Sequence, residues 1–262
     1  MVAVAVALAA CGRVGFAPVP VALSDDANSD GIDGTPNGPA AVPIQAAPLS
    51  VVSTNLVQTT FPSAVTPGHM IVVYVWAFSQ GPAPLPTNGA ADNAGTAYQQ
   101  ATNIVVANCN TAAGYAAAAI YYGVATSASA PTVTLTPGAN PSTELGMMAM
   151  EYANVTMLVD ATRKETAGTA TPIVFDSGDV TTLRNGLLAS VGTGCAGYPS
   201  PITWSDTQSF TARGAATTTL NLPPGIAADK VVDAAGTYRD AWSVGYVSGA
   251  PNPVLGVIAA FE

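Results

Sequence analysis

Charge is what this chain has least of. Only 9% of its 262 residues are charged, and the basic ones number 7 against 16 acidic, for a net charge of −9. So few Lys and Arg leave no electrostatic footprint for nucleic acid. His69 is the only histidine, and the three cysteines (Cys11, Cys109 and Cys195) stand far apart. Two distant cysteines and one histidine fall short of the four ligands a structural zinc needs. Long apolar runs are also missing: the longest inside the body, 112–125, is broken by Gly114 and Gly123, and a spanning helix needs about 18 residues. There is no Gly-x-Ser-x-Gly elbow, and Gly192-Thr193-Gly194 lacks the Lys of a phosphate loop. Capped helical periodicity is lacking along the whole chain, which points away from a helical fold.

What is there begins at the N-terminus. Val2 to Ala10 is a short apolar run, and Leu8-Ala9-Ala10-Cys11 follows the order of a bacterial lipoprotein signal. The expectation is a cleaved signal over residues 1–10 and acyl chains on Cys11. The run departs from the ideal in carrying no Lys or Arg. By resemblance to diderm lipoproteins, Gly12 after the cysteine implies the outer membrane, facing the periplasm or the cell surface. Residues 11–41 read as a tether, because Ser24 to Ala40 is rich in Asp, Asn, Gly and Pro and cannot bury a core. With Cys11 lipidated outside the cytoplasm, Cys109 and Cys195 form an even pair and are expected to bridge; the alternative is two separate thiols.

Residues 42–262 read as one folded domain. Short apolar runs rich in Val, Thr, Ile and Tyr alternate with turn residues, among them Val65 to Ser79, Leu145 to Tyr152, Leu187 to Gly192 and Val254 to Phe261. Tyr115 to Ala125 is ambiguous. Its alanines favour helix, while its glycines and Ile120-Tyr121-Tyr122 favour a buried strand. About a dozen such strands predict an all-β, two-sheet antiparallel β-sandwich, jelly-roll-like. An outer-membrane barrel fits less well, since strict apolar/polar alternation is missing. An internal echo is present: Leu145–Tyr152 resembles Leu255–Glu262, and Gly68–Val72 resembles Gly186–Ser190, in the same order. Two sandwich halves with similar strand roles would produce it, and so would coincidence among low-complexity apolar strands.

The runs Gly68-His-Met-Ile-Val-Val-Tyr-Val, Asp92-Asn-Ala-Gly-Thr-Ala-Tyr98, Ala119-Ile-Tyr-Tyr-Gly-Val124 and Met150-Glu-Tyr152 resemble uncharacterised β-sandwich domains of secreted and surface-attached bacterial proteins. The opening Cys11-Gly-Arg-Val-Gly-Phe16 is similar to predicted lipoproteins of myxobacteria. The resemblance implies a jelly-roll-like fold and an exported location, and no catalytic residues.

Five features invite a chemical reading. Tyr74, Trp76 and Phe78 alternate on one strand face, as a stripe for stacking a ligand or as core. Asp26, Asn28 and Asp30, followed by Gly31, match the first half of a calcium loop, although position twelve is Asn37 and a solvated linker explains them as well. Asp92-Asn93-Ala94-Gly95 predicts a tight turn. His69 reads as a strand-end residue with no acidic partner nearby in sequence. Glu151 and Asp160 show no sign of the facing pair that glycoside hydrolysis needs. The sequence therefore predicts a lipid-anchored, exported, non-enzymatic module that binds a glycan or protein, or serves a structural role, with no required cofactor. A polysaccharide hydrolase is the alternative.

Overall fold

The computed structural model describes residues 38–262 apart from 54–55, 83, 86–88, 108, 110–113, 137–143, 167–171, 195–202, 217–223 and 246–252. The expected features at Cys11, Asp26, Asn28, Asp30 and Cys195 lie outside the described residues. Those described form eighteen strands and no helix.

The first eight strands are β1 (Val42–Val52), β2 (Val57–Thr60), β3 (Met70–Ser79), β4 (Ala90–Asp92), β5 (Gln99–Ala107), β6 (Tyr115–Val124), β7 (Thr132–Leu135) and β8 (Glu144–Ala153). Next come β9 (Leu158–Thr166), β10 (Ile173–Asp176), β11 (Val180–Thr182), β12 (Gly186–Gly194) and β13 (Thr203–Asp206). The series closes with β14 (Thr211–Ala216), β15 (Gly225–Val232), β16 (Gly236–Tyr238), β17 (Ala241–Gly245) and β18 (Val254–Phe261).

The pairing shows a duplication. A central sheet β1-β8-β3-β6-β5 and an outer sheet β2-β7-β4 come from the first half. The second half repeats them as β9-β18-β12-β15-β14 and β10-β17-β13, with β11 and β16 adding a two-stranded ladder. Within each half most connections cross between the two sheets in the manner of a jelly roll, the β5–β6 and β14–β15 hairpins staying within the central ones. The fold is thus an antiparallel sandwich, with the jelly-roll plan used twice.

Three apolar clusters hold the layers together. Ile71, Val73 and Val75 of β3 pack outward with Val57, Val133 and Leu135 of the first outer sheet. Leu188, Ile258 and Ala260 pack outward with Ile173, Trp242 and Val244 of the second. Between the two central sheets lie Met70, Val72, Tyr74, Trp76, Tyr152, Leu187, Val257 and Phe261. Every residue of β3, β12 and β18 is buried. A strand covered on both faces reads as a continuous apolar run, which explains the missing alternation and the scarcity of charge.

Tyr115 to Val124 is a strand despite its alanines. Ala117 and Ala119 face the first outer sheet, and Ala118 faces the opposite central sheet. Small side chains on both faces let three layers close around β6, and packing overrides helix propensity.

The sequence echo marks the right strands but is out of phase by one residue. It aligns Met148 with Ile258, yet Met148 faces the inter-sheet core and Ile258 the outer cluster. Ladder pairing gives the true correspondence. Met70 pairs with Tyr152, and Leu187 pairs with Phe261. A one-residue slip reverses which face a side chain occupies.

Candidate functional site

The aromatic stripe is interior. Tyr74 and Trp76 are 0% exposed and Phe78 is 6% exposed. Trp76 lies between the central sheets so closely that Gly146 of β8 and Gly225 of β15 are the only fit there. A Cβ on either would stand 2.1–2.5 Å from the indole ring. Of the two readings of this stripe, core is the one the structure supports, and stacking on an external sugar or partner is closed to it.

Tyr74 instead opens a polar chain across the inter-sheet core. Its hydroxyl lies 2.7 Å from that of Tyr152, which donates to Asp229 Oδ2. Tyr152 has one proton, so Tyr74 is the donor between the two. Arg213 Nε donates to both Asp229 oxygens at 2.9 Å. Burial raises both tyrosines, and the Asp229 charge adds to it. Burial also raises Asp229, against the pull of Tyr152 and Arg213. Desolvation works against the Arg213 charge, but its bonds to Asp229 outweigh that and hold it above its ordinary value. The chain clamps a tyrosine pair of one central sheet to an ion pair of the other.

His69 has a partner that sequence reasoning missed. Its Nδ1 lies 2.7 Å from Glu151 Oε1, and Glu151 is fully buried. Glu151 also accepts from Gln45 Nε2 at 2.7 Å and from the Thr66 amide at 2.8 Å. The second half builds the same corner. Glu262 accepts from the Leu183 amide at 2.5 Å, and from the amide and Nε of Arg184 at 3.1 Å each. In each half a buried carboxylate ties down the loop before the long middle strand, β3 or β12. Asp160, the other acid considered, accepts from the Ala161 and Thr181 amides.

The predicted turn at Asp92 forms as expected. Asp92 accepts from the amides of Ala94 and Thr96 at 2.9 and 3.0 Å and from the Tyr98 hydroxyl at 3.0 Å. Gly95 has φ +78°, a conformation costly for other residues. Asp206 does the same for its half, accepting from the Gln208 amide. Burial and the Asp92 charge raise Tyr98 well above its ordinary value.

The surface feature best suited to a ligand is a groove of about 390 Å³ where the first half runs into the second. Gln99, Tyr122 and Val124 line it from β5 and β6, and Thr156, Met157 and Leu158 from the connection into β9. Tyr122 is half-buried and held in place. Its hydroxyl donates to Gln99 Oε1 at 2.8 Å, and its ring meets Phe261 edge-on at 5.4 Å. Met157 is 52% exposed and Val124 41%. An oriented aromatic ring, an amide and flanking apolar groups suit a sugar ring or a peptide side chain. The groove was invisible in sequence because Tyr122 and Met157 sit on different elements. Among the described residues, no group of three or more His, Cys, Asp or Glu is placed to hold a metal ion, and no helix is long and apolar enough to cross a membrane. Comparison with protein-family models, with curated proteins and with solved structures finds no match.

Proposed function

We propose that the protein is an exported, lipid-anchored binding module that presents the Tyr122 groove to a glycan or a protein segment. The observation that carries this is the placement of Tyr122, locked by Gln99 and Phe261 at a rim shared by both halves. A pre-oriented ring loses little freedom on binding. The lipoprotein-like Leu8-Ala9-Ala10-Cys11 supports an outer-membrane location, with residues 11–41 as a spacer. The carboxylates considered for a hydrolase point the other way: Glu151 and Asp160 are spent on backbone donors.

A bridge between Cys109 and Cys195 is part of the same proposal. Cys109 is fully buried and is not a free thiol. It packs in one cluster with Val254, the ladder partner of Gly194, immediately before Cys195 in the chain.

The test is a glycan array and a peptide display screen probed with the protein and with Tyr122→Ala. Binding that drops at least about tenfold in the variant, with unfolding midpoint unchanged, is the expected result. Binding that survives Tyr122→Ala removes the groove from consideration.

A further inference from the structure

The duplication supplies an internal control, and beneath the outer sheets the two halves fail to match. Ladder and turn bonds set the correspondence. The Phe61 amide donates to Pro131 O at 3.1 Å, and the Ser177 amide donates to Asp240 O at 2.9 Å. Val133 is paired with Asp92, and Trp242 with Asp206. Val73 pairs with Ala149, and Ser190 with Ile258. Beneath the first outer sheet the four positions are therefore Phe61, Pro131, Val73 and Val133. Beneath the second they are Ser177, Asp240, Ser190 and Trp242. The fold is built without polar side chains at these positions, so the second set is a local specialisation.

We propose that the second outer sheet is a pH-sensitive layer, seated on the second central sheet by the neutral Asp240 carboxyl and loosened when that carboxyl gives its proton to solvent. Asp240 is 0% exposed, and neither carboxyl oxygen completes a hydrogen bond. Ser190 Oγ, Trp242 Nε1 and the Ala241 amide are near enough to favour its charge, but none closes a full bond to it. Among the described residues no cation compensates. The charged groups on the surrounding elements are Asp206 of β13, which repels, and Asp176 of β10, already bonded to Lys164. Neighbouring Arg239 is bonded to Asp179, and Lys230 of β15 donates to Gln208 O and lies over Phe210. Burial, chiefly, pushes Asp240 up to about 7. A buried carboxylate with only weak donors and no cation beside it is costly, and the way to relieve it is to let water in. The layer above it is small: β10 and β13 have four residues each and β17 five.

The test is hydrogen exchange of the whole protein at pH 6 and pH 8, corrected for the chemical rate. A group that titrates near pH 7 closed and near 4 open changes the opening constant roughly tenfold between those values. The expected result is about tenfold faster exchange at pH 8 in β10, β13 and β17, with β2, β4 and β7 unchanged. Asp240→Asn removes the difference. Glu144→Gln keeps it, a necessary control because burial also pushes Glu144 up to about 7. Ser190→Ala moves the midpoint to higher pH by removing a donor that favours the charge. If Asp240→Asn does not fold, Ser190→Ala decides: a raised midpoint supports the proposal and an unmoved one overturns it. A pH difference that survives Asp240→Asn, or that loosens both outer sheets alike, also overturns it.

Discussion

Replacing Gly225 with alanine tests one of the tightest glycine contacts among the described residues. The new Cβ would stand 2.3 Å from Cδ2 and Cε2 of Trp76. Ordinary carbon contacts begin at about 3.5 Å, so the ring would have to retreat more than about 1 Å. It has nowhere to go: Trp76 is 0% exposed, and on β8 Gly146 sits so close that its own Cβ would be 2.1 Å from Cε2. Overpacking of this kind costs about 3 kcal/mol, the upper part of the usual range. Trp76→Ala alone removes one of the two largest buried side chains among the described residues and costs about 3–5 kcal/mol through the cavity it leaves. The informative measurement is the double-mutant cycle, followed by far-UV circular dichroism in urea because Trp76 is itself a fluorophore. With the indole gone, the added methyl has room. The double variant is then no less stable than Trp76→Ala, a coupling of about 3 kcal/mol. Costs that simply add, within about 0.5 kcal/mol, would refute the claim that Gly225 exists to admit the indole.

Asp229→Asn is expected to cost about 3 kcal/mol, because it leaves Arg213 without its partner and weakens the acceptor of Tyr152; urea midpoints of the single variant and of Asp229→Asn with Arg213→Met measure it, the second losing less. The pH dependence of Asp240 has a definite sign. Its folded value of about 7 lies above the ordinary 3.8, so the stabilisation is complete below pH ~4 and lost as pH rises through 7, about 4 kcal/mol in all. Thermal melts of wild type against Asp240→Asn from pH 4 to 9 show this as a falling difference that levels off above about pH 8. Reduction of the proposed Cys109–Cys195 bridge should lower stability by about 4 kcal/mol for so long a loop, and peptide mapping under non-reducing conditions finds the linked pair or rejects it.

Local chemistry was legible in the sequence because it depends on neighbours in the chain. Asp92 bonds its own turn, Gly95 and Gly178 take positive φ, and branched and aromatic residues between them make strands. The duplication was faintly legible as an echo in the right strands. What the chain could not show by itself is which way each strand faces. Stacking four layers buries both faces of β3, β12 and β18 and erases the alternation from which a face is read. The stripe of Tyr74, Trp76 and Phe78 was ambiguous for that reason. The polar partnerships were hidden by distance along the chain: His69 and Glu151 are 82 residues apart, and Tyr152 and Asp229 are 77 apart. Residue type and short-range order therefore determined the strands and turns. Only tertiary packing decided which carboxylates are spent inside, which aromatic ring reaches the surface, and why one half carries a buried acid where the other carries proline.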